Sequence, residues 1–211
     1  MNTLTCRNMP PEVNAADAQE QPKLTSDMAI RLATRRDIPA MMALEARHYV
    51  GNLDASEQAN GFISILHPQE WFNDAVDCAG VHVAVTDDGA VTGFIGVTAP
   101  PTRSDMGSSP IIRAMLELAE NLEFNARPIA AQRYAFRGPV LIDRAARGRG
   151  LYSAFNAVTR QAYKQRFDLG VLFVAADNSR SLRTTTTKLG AQSLAIFEVD
   201  AKQYHFLAFR F

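Results

Sequence analysis

Apolar residues are distributed differently in the first 27 residues and in the rest of the chain. Residues 1–27 are rich in Asn, Ala, Asp, Gln, Glu and Pro and have no sustained apolar period. Such a segment buries too little apolar surface to offset the entropy lost on ordering. From Met28 onward, apolar and polar positions alternate as in a half-buried strand. We therefore predict a flexible N-terminal extension over 1–27 and one folded domain over 28–211.

Two pairs of apolar runs have the spacing of β-hairpins. Val81–Val85 and Val91–Val97 flank the turn sequence Asp87-Asp88-Gly89, and the runs 194–199 and 204–210 flank a short polar turn. Runs of this length that are separated by Gly, Asp or polar residues are typical of adjacent antiparallel strands. The sequence therefore predicts antiparallel pairs in the first half of the domain and at its C-terminus.

The region between these hairpins predicts a strand-helix-strand unit. A strand is expected over 132–142, an amphipathic helix over 151–166 and a continuously apolar strand over 171–175. Residues 99–132 contain a separate helical segment between prolines, which predicts an inserted helical lid. The whole order predicts an α/β (α+β) fold with a mixed central sheet of about seven strands and helices on both faces.

Charge and cysteine content narrow the possible functions. The chain of 211 residues has 22 basic and 22 acidic residues, so no net field favours nucleic acid or an anionic membrane. Cys6 and Cys78 are the only cysteines and have no metal-ligand spacing with histidines, which predicts neither a disulfide framework nor a metal site. No apolar run approaches the roughly 20 residues that span a bilayer. These features predict a soluble, cytoplasmic protein without a bound metal.

The segment Val140–Phe155 predicts a phosphate-binding turn. An apolar strand runs into Arg144-Ala-Ala-Arg-Gly-Arg-Gly150, and an amphipathic helix follows at once. Glycine permits unusual backbone dihedrals and close ligand approach, and the first N–H groups of a helix attract anions. The spacing fits neither the P-loop, which needs Lys and a hydroxyl after its second glycine, nor the dinucleotide fingerprint, which needs a third glycine.

This segment resembles the acyl-CoA signature of the GNAT superfamily of N-acyltransferases, Gln/Arg-x-x-Gly-x-Gly/Ala. Arg147, Gly150 and Tyr152 fall on its three specified positions, and Tyr152 departs from the small residue of the pattern. The stretch Asn178-Ser-Arg-Ser-Leu-Arg, followed by Lys188-Leu-Gly, is similar to the second signature of the family. The predicted order of elements from Met28 to Phe211 is also the order found in the family.

The resemblance implies that acetyl-CoA lies where the fourth and fifth strands part. It implies that pantetheine pairs with the strand at 140–142 and that the pyrophosphate lies on residues 148–153. Arg144 and Arg149 are further phosphate-ligand candidates, and Asn178 is either a cofactor contact or a helix cap. The candidate cofactor-binding residues are Val140, Leu141, Ile142, Arg147, Gly148, Arg149, Gly150, Leu151, Tyr152, Ser153 and Asn178.

Catalytic residues are harder to assign. Many family members have a tyrosine that protonates the departing thiolate, whereas this chain has Thr184-Thr-Thr-Thr187, so the Thr185 hydroxyl is the nearest substitute. The candidates for the general base are four residues near predicted strands: Tyr134, Asp143, Glu198 and His205. The other histidines, His48, His67 and His82, and Trp71 are assigned no role.

These features predict an enzyme that transfers an acetyl group from acetyl-CoA to a primary amine of a small molecule. A protein or peptide amine is the alternative acceptor. Three acidic residues of the insertion indicate either a solvated helix face or tolerance of a cationic acceptor: Glu117, Glu120 and Glu123. The alternatives are a non-catalytic acyl-CoA-binding module and a transferase of longer acyl chains with a tunnel at Phe62, Leu66 and Phe94. The apolar C-terminal strand would be a liability as an exposed edge, which favours a homodimer.

Overall fold

The computed structural model describes residues 27–101 and 109–211. The predicted flexible extension, apart from Asp27, and residues 102–108 of the predicted lid lie outside the described residues. The strands are β1 Met28–Leu32, β2 Val81–Thr86, β3 Val91–Thr98, β4 Tyr134–Ile142, β5 Leu169–Ala175, β6 Gln192–Val199 and β7 Lys202–Arg210. The helices are α1 Ile38–His48, α2 Ala55–Gln58, α3 Gln69–Asp77, α4 Pro110–Asn121, α5 Leu151–Tyr163 and α6 Ser179–Thr184, and α6 continues into a π-helical turn, Thr185–Leu189.

The strands form one seven-stranded sheet in the order β1-β2-β3-β4-β5-β7-β6. All neighbours are antiparallel except β4 and β5, which are parallel and are joined through α5. The predicted mixed sheet and both predicted hairpins are therefore confirmed. The C-terminal strand β7 pairs on both sides and is not an edge, so the reason given for a homodimer was wrong.

Helices cover both faces of the sheet because adjacent strand residues point to opposite sides. On one face, α1 and α3 pack through Met41, Leu44 and Phe72 against β2 and β3. On the opposite face, α5 packs through Leu151 and Phe155. The helix of the predicted lid, α4, buries Met115 and Ala119 against β4, β5 and β7, so it forms part of the core.

One prediction from the cysteines was wrong. Cys78, at the C-terminal end of α3, is disulfide-bonded, whereas the sequence predicted no disulfide. The cysteine spacing carried no information about this bond because a disulfide depends on distance in space.

The turn from β1 to α1 is built around a buried carboxylate. Asp37 accepts two hydrogen bonds from the Arg31 guanidinium, at 2.7 and 2.8 Å, and two from the backbone N–H and hydroxyl of Thr34, at 2.7 and 2.9 Å. The Arg31 guanidinium and these Thr34 donors lower the pKa of Asp37 to about 2, against the opposing effect of burial. The ionised form is thus favoured in the folded state.

We predict that Asp37→Asn lowers the free energy of unfolding at pH 7 by about 1–2 kcal/mol, because Arg31 is partly exposed and solvent screens part of the interaction. The folded-state pKa lies below the unfolded value. The contribution of the Asp37 carboxylate to the free energy of unfolding is therefore complete above about pH 4 and is lost as the pH falls towards 2. Urea denaturation of both proteins between pH 7 and pH 2.5 should show the difference narrowing over that window.

Asp77→Asn is the matched control. Asp77 also accepts two hydrogen bonds from an arginine, Arg35, but both side chains are largely exposed. Its removal should leave the free energy of unfolding nearly unchanged. An equal loss in the two variants would contradict the role assigned to burial at Asp37.

Candidate functional site

The central feature of the site is the parting of β4 and β5. These strands pair only over Tyr134–Phe136 and Leu169–Val171, and their later residues diverge. The gap forms a cleft of about 410 Å³ lined by both strands and by residues of α5 and α6. The edge of β4 that faces β5 therefore has no strand partner beyond Phe136. Val140, Leu141 and Ile142, the predicted pantetheine-binding residues, all line this cleft.

A β-bulge in β4 lies where the strands part. Ile95 pairs with Val140 and Val97 with Arg137, so β3 has one residue between these pairs and β4 has two. The extra length is at Gly138 and Pro139, where proline has no N–H to donate. The bulge turns β4 away from the regular ladder at the apex of the cleft.

The glycine-rich turn is open towards the cleft. Gly148 and Gly150 have φ values of 79° and 83°, in the left-handed region that glycine tolerates best. No heavy atom lies within 4 Å of the position of a Cβ at either residue. Gly150 is the N-cap of α5, and no side chain caps the helix, so its first N–H groups are available to an anion.

Arg147 stabilises this turn through hydrogen bonds to two backbone carbonyls. Its Nε donates to the carbonyl of Ile142 at 3.1 Å, and one terminal nitrogen donates to the carbonyl of Asn60 at 2.6 Å. Desolvation lowers the pKa of Arg147, and the charges of Arg180 and Arg144 lower it further. The arginines thus repel one another, which favours a bound anion.

The other two predicted phosphate ligands also have protein partners. Arg144 pairs with Glu57 at 3.2 Å, and Arg149 pairs with Asp27. Neither lines the cleft, whereas Arg180 and Lys188, which the sequence analysis did not select, do.

Asn178 connects α6 to the loop that precedes α3. Its Oδ1 accepts from the backbone N–H of Ser181 at 3.1 Å and caps α6, and its Nδ2 donates to the carbonyl of Phe62 at 2.8 Å. Asn178 is therefore a helix cap, and both its side-chain oxygen and its side-chain nitrogen already form hydrogen bonds within the protein. With the bond from Arg147 to Asn60, this contact fastens the loop 60–65 across the cleft.

The side chain of Tyr152 reaches the π-helical turn that follows α6. Its hydroxyl lies 3.3 Å from Oγ1 of Thr185, and both residues line the cleft. The Arg137 guanidinium lies 5.4 Å from the Tyr152 ring centroid and donates to Oδ1 of Asn156 at 2.6 Å. A phenol and a hydroxyl thus share the wall between α5 and α6.

The four predicted base candidates do not line the cleft. Asp143 pairs with Arg47 at 3.0 Å and accepts from the Ala145 N–H. Burial raises the pKa of Asp143, but these two donors outweigh it and lower the pKa overall. Tyr134 packs in the core under α4, with its pKa raised by burial. Glu198 and His205 lie on the β6–β7 hairpin.

A histidine that the sequence analysis set aside does line the cleft. His67 Nδ1 lies 2.6 Å from Oε1 of Glu45, and the His67 backbone N–H donates to Oε2 of the same carboxylate at 2.9 Å. Glu45 lies on α1 and its side chain is only 1% exposed. The His67 ring packs against Trp71, with the ring centroids 4.2 Å apart and the ring planes tilted by 39°. The two members of this pair are 22 residues apart in the sequence, with no motif to join them.

The tunnel predicted for longer acyl chains does not form as expected. Phe62 lines the cleft, but Leu66 is exposed and Phe94 is buried in the core beside α1 and α3. Within residues 27–101 and 109–211, no group of three or more His, Cys, Asp or Glu residues could hold a metal ion. No helix in the same ranges is long and apolar enough to cross a bilayer.

No protein-family model matches the chain, and no curated protein matches it. Solved structures do match. An acetyltransferase of the GNAT family from Streptococcus agalactiae is 16% identical, with a TM-score of 0.59, and the match covers 90% of this chain and 98% of that one. The Salmonella typhimurium protein yncA, solved with its cofactor acetyl-CoA, is 16% identical, with a TM-score of 0.55 and coverage of 88% and 94%.

The NatC complex bound to Gag peptide and CoA is 10% identical, with a TM-score of 0.59 and coverage of 88% of this chain and 99% of that chain. Identities this low establish the fold alone. The resemblance predicted from residues 147–152 and from the order of elements is thereby confirmed at the level of the fold. This chain has the fold of the GNAT superfamily of N-acetyltransferases.

Proposed function

We propose that the protein is an N-acyltransferase that transfers an acetyl group from acetyl-CoA to a primary amine. The observation that carries the proposal is the cleft between β4 and β5, which begins at a β-bulge and ends at the uncapped N-terminus of α5. An extended thioester donor with a pyrophosphate at one end fits this shape and polarity. The neighbours solved with acetyl-CoA or CoA support the same donor.

The donor end of the cleft is positively charged. The backbone N–H groups of Leu151, Tyr152 and Ser153 would hold the pyrophosphate, with the left-handed glycines leaving room for its approach. Arg180 and Lys188 add cationic side chains to the lining of the cleft, while Arg147 shapes the turn through its two carbonyl contacts. Bound acetyl-CoA supplies the activated thioester.

Catalysis in such a site rests mainly on positioning. Holding an amine beside a thioester converts a bimolecular reaction into a unimolecular one, which accounts for a large part of the rate. Unpaired backbone N–H groups on the open edge of β4 would polarise the thioester carbonyl. The Tyr152 and Thr185 hydroxyls lie on the wall where the thiolate would leave, in place of the tyrosine that many family members have.

The other end of the cleft indicates the kind of acceptor. Its walls are largely apolar, with Phe62, Ile65, Ile112, Met115 and Phe173. Within the described part of the chain, no Asp or Glu lines the cleft. A polycation that entered the cleft would lose hydrating water, and no carboxylate among the described lining residues would compensate for that loss. We therefore propose a small acceptor with a single amine on an apolar body, and the peptide in the NatC structure leaves a peptide amine as the alternative.

The donor site is tested by Gly150→Glu beside Gly89→Glu. Both glycines have φ of 83° and open space around the Cβ position, so the backbone strain, about 1–2 kcal/mol, is matched. Gly89 is in the β2–β3 turn. Calorimetric titration should show micromolar acetyl-CoA binding to the unmodified protein and to Gly89→Glu, and at least tenfold weaker binding to Gly150→Glu. Equal binding to both variants would place the pyrophosphate elsewhere.

The acceptor is tested by CoA release over a panel of amines. Primary amines on aromatic or aliphatic bodies should give acceptor-dependent release, with kcat/KM at least tenfold higher than for polyamines of similar length. The difference follows from the apolar walls and the lack of carboxylates among the described lining residues. Saturable acetyl-CoA binding without release over any amine would instead identify a non-catalytic acyl-CoA-binding module.

A further inference from the structure

We infer that His67 is the general base that deprotonates the acceptor amine and that Glu45 is the residue that positions it. The inference rests on the proposed function, since it names the group that prepares the amine in the same cleft. It is carried by the geometry of a histidine held between a buried carboxylate and an open cavity.

The carboxylate fixes the orientation of the ring. Oε2 of Glu45 accepts from the backbone N–H of His67 at 2.9 Å, and Oε1 lies 2.6 Å from the ring Nδ1. An ionised carboxylate can only accept a hydrogen bond, so we assign the ring proton to Nδ1. The two contacts to one side chain tie both the backbone and the ring of His67 to α1. The Trp71 ring on α3 also packs against the His67 ring, at a tilt of 39°.

This arrangement leaves Nε2 with a lone pair. Nε2 has no hydrogen-bond partner among the described residues. It is also not a buried atom, because the buried side-chain atoms without a partner all belong to other residues. His67 lines the cleft, with 16% of its side chain exposed. A histidine whose Nδ1–H is held by a carboxylate and whose Nε2 faces a cavity has the arrangement of a general base.

The pair lies at the apex of the cleft, where the chemistry is expected. A Cβ at Gly96 would lie 3.2 Å from Cη2 of Trp71 and 2.6 Å from the carbonyl oxygen of Gly138. The indole that supports His67 therefore packs next to the bulge from which β4 and β5 part. Both Glu45 and Trp71 come from the helices on one face of the sheet, whereas α5, which would hold the pyrophosphate, packs on the opposite face. The base and the phosphates of the donor thus lie on opposite sides of the sheet.

The step balances without another reactant. His67 Nε2 takes one proton from the acceptor ammonium, which gives the neutral amine. The amine nitrogen attacks the thioester carbonyl carbon, a C–N bond forms, and the C–S bond breaks to release CoA thiolate. The second proton of the nitrogen passes to the thiolate, giving the amide and CoA thiol. The imidazolium then returns its proton to solvent.

Glu45→Gln tests the positioning role without removing the ring. The backbone N–H of His67 would keep the amide oxygen of the glutamine facing it, which places the amide NH₂ against Nδ1. The ring proton would then move to Nε2, and the base would lose its lone pair. The change resembles the replacement of the aspartate in a serine-protease triad, where geometry is kept and the tautomer is wrong.

His67→Gln removes the base but keeps a donor for Glu45. We expect each variant to lower kcat about 100-fold or more while changing the acetyl-CoA dissociation constant less than about threefold. The double variant should be no slower than the worse single one, because the two residues act as a unit. His205→Gln is the control, since it removes a histidine on β7 that contacts Ser193 outside the cleft, and its kcat should be unchanged.

The ring tautomer provides a readout that does not depend on turnover. Nitrogen-15 spectra of the free protein should show His67 protonated at Nδ1, and the proton should shift to Nε2 in Glu45→Gln. A proton on Nε2 in the unmodified protein, or full kcat in His67→Gln, would contradict the assignment of His67 as the general base. Either result would leave the proposed acetyl transfer unaffected. If no amine of the panel gave CoA release although the Nδ1 tautomer was present, both the proposed transferase activity and the role of His67 as its base would be contradicted.

Discussion

The site depends on the short pairing between β4 and β5. Only three residues of each strand are in register, and a parallel pair that stops so early leaves one edge of β4 without a strand partner beyond Phe136 among the described residues. Two features of β3 make this geometry possible. A Cβ at Gly93 would lie 2.8 Å from the Leu141 carbonyl oxygen, and one at Gly96 would lie 2.6 Å from the Gly138 carbonyl oxygen, so both positions require glycine for β4 to lie this close. The cleft is thus maintained by the opposite edge of β4 as well as by the divergence of β5.

The two ends of the cleft differ in chemistry, and one loop, 60–65, runs between them. The end that we propose for the donor has uncapped helix N–H groups and cationic side chains, and the end that we propose for the acceptor has apolar walls and a histidine-carboxylate pair. The loop 60–65 connects these ends through two hydrogen bonds, from Arg147 to Asn60 and from Asn178 to Phe62. Both bonds end on backbone carbonyls, so they fix the path of the loop whatever its side chains are.

The arginine-rich turn shows how one motif can serve two purposes. Arg144, Arg147 and Arg149 each bond to protein atoms and fasten the turn to α2, the loop 60–65 and Asp27. The anion site that we propose is made of backbone N–H groups, which need glycines for access and no particular side chain. This explains how Tyr152 can stand at a position where the family pattern has a small residue. Its ring centroid lies 5.4 Å from the Arg137 guanidinium, and its hydroxyl lies 3.3 Å from Oγ1 of Thr185.

The sequence by itself determined the hairpins, the strand-helix-strand unit and the glycine turn, because these features are set by local periodicity and by backbone dihedrals that only certain residues tolerate. It could not determine which side chains face the cleft. Asp143 follows the correct strand but pairs with Arg47 and does not line the cleft, whereas Arg147 lines the cleft and donates to the carbonyls of Ile142 and Asn60. Glu45 and His67 come together only when α1 and the loop before α3 pack on the same face of the sheet. The partnership of a buried carboxylate with one particular histidine is a property of the tertiary structure, since it depends on distances in space that no local pattern records.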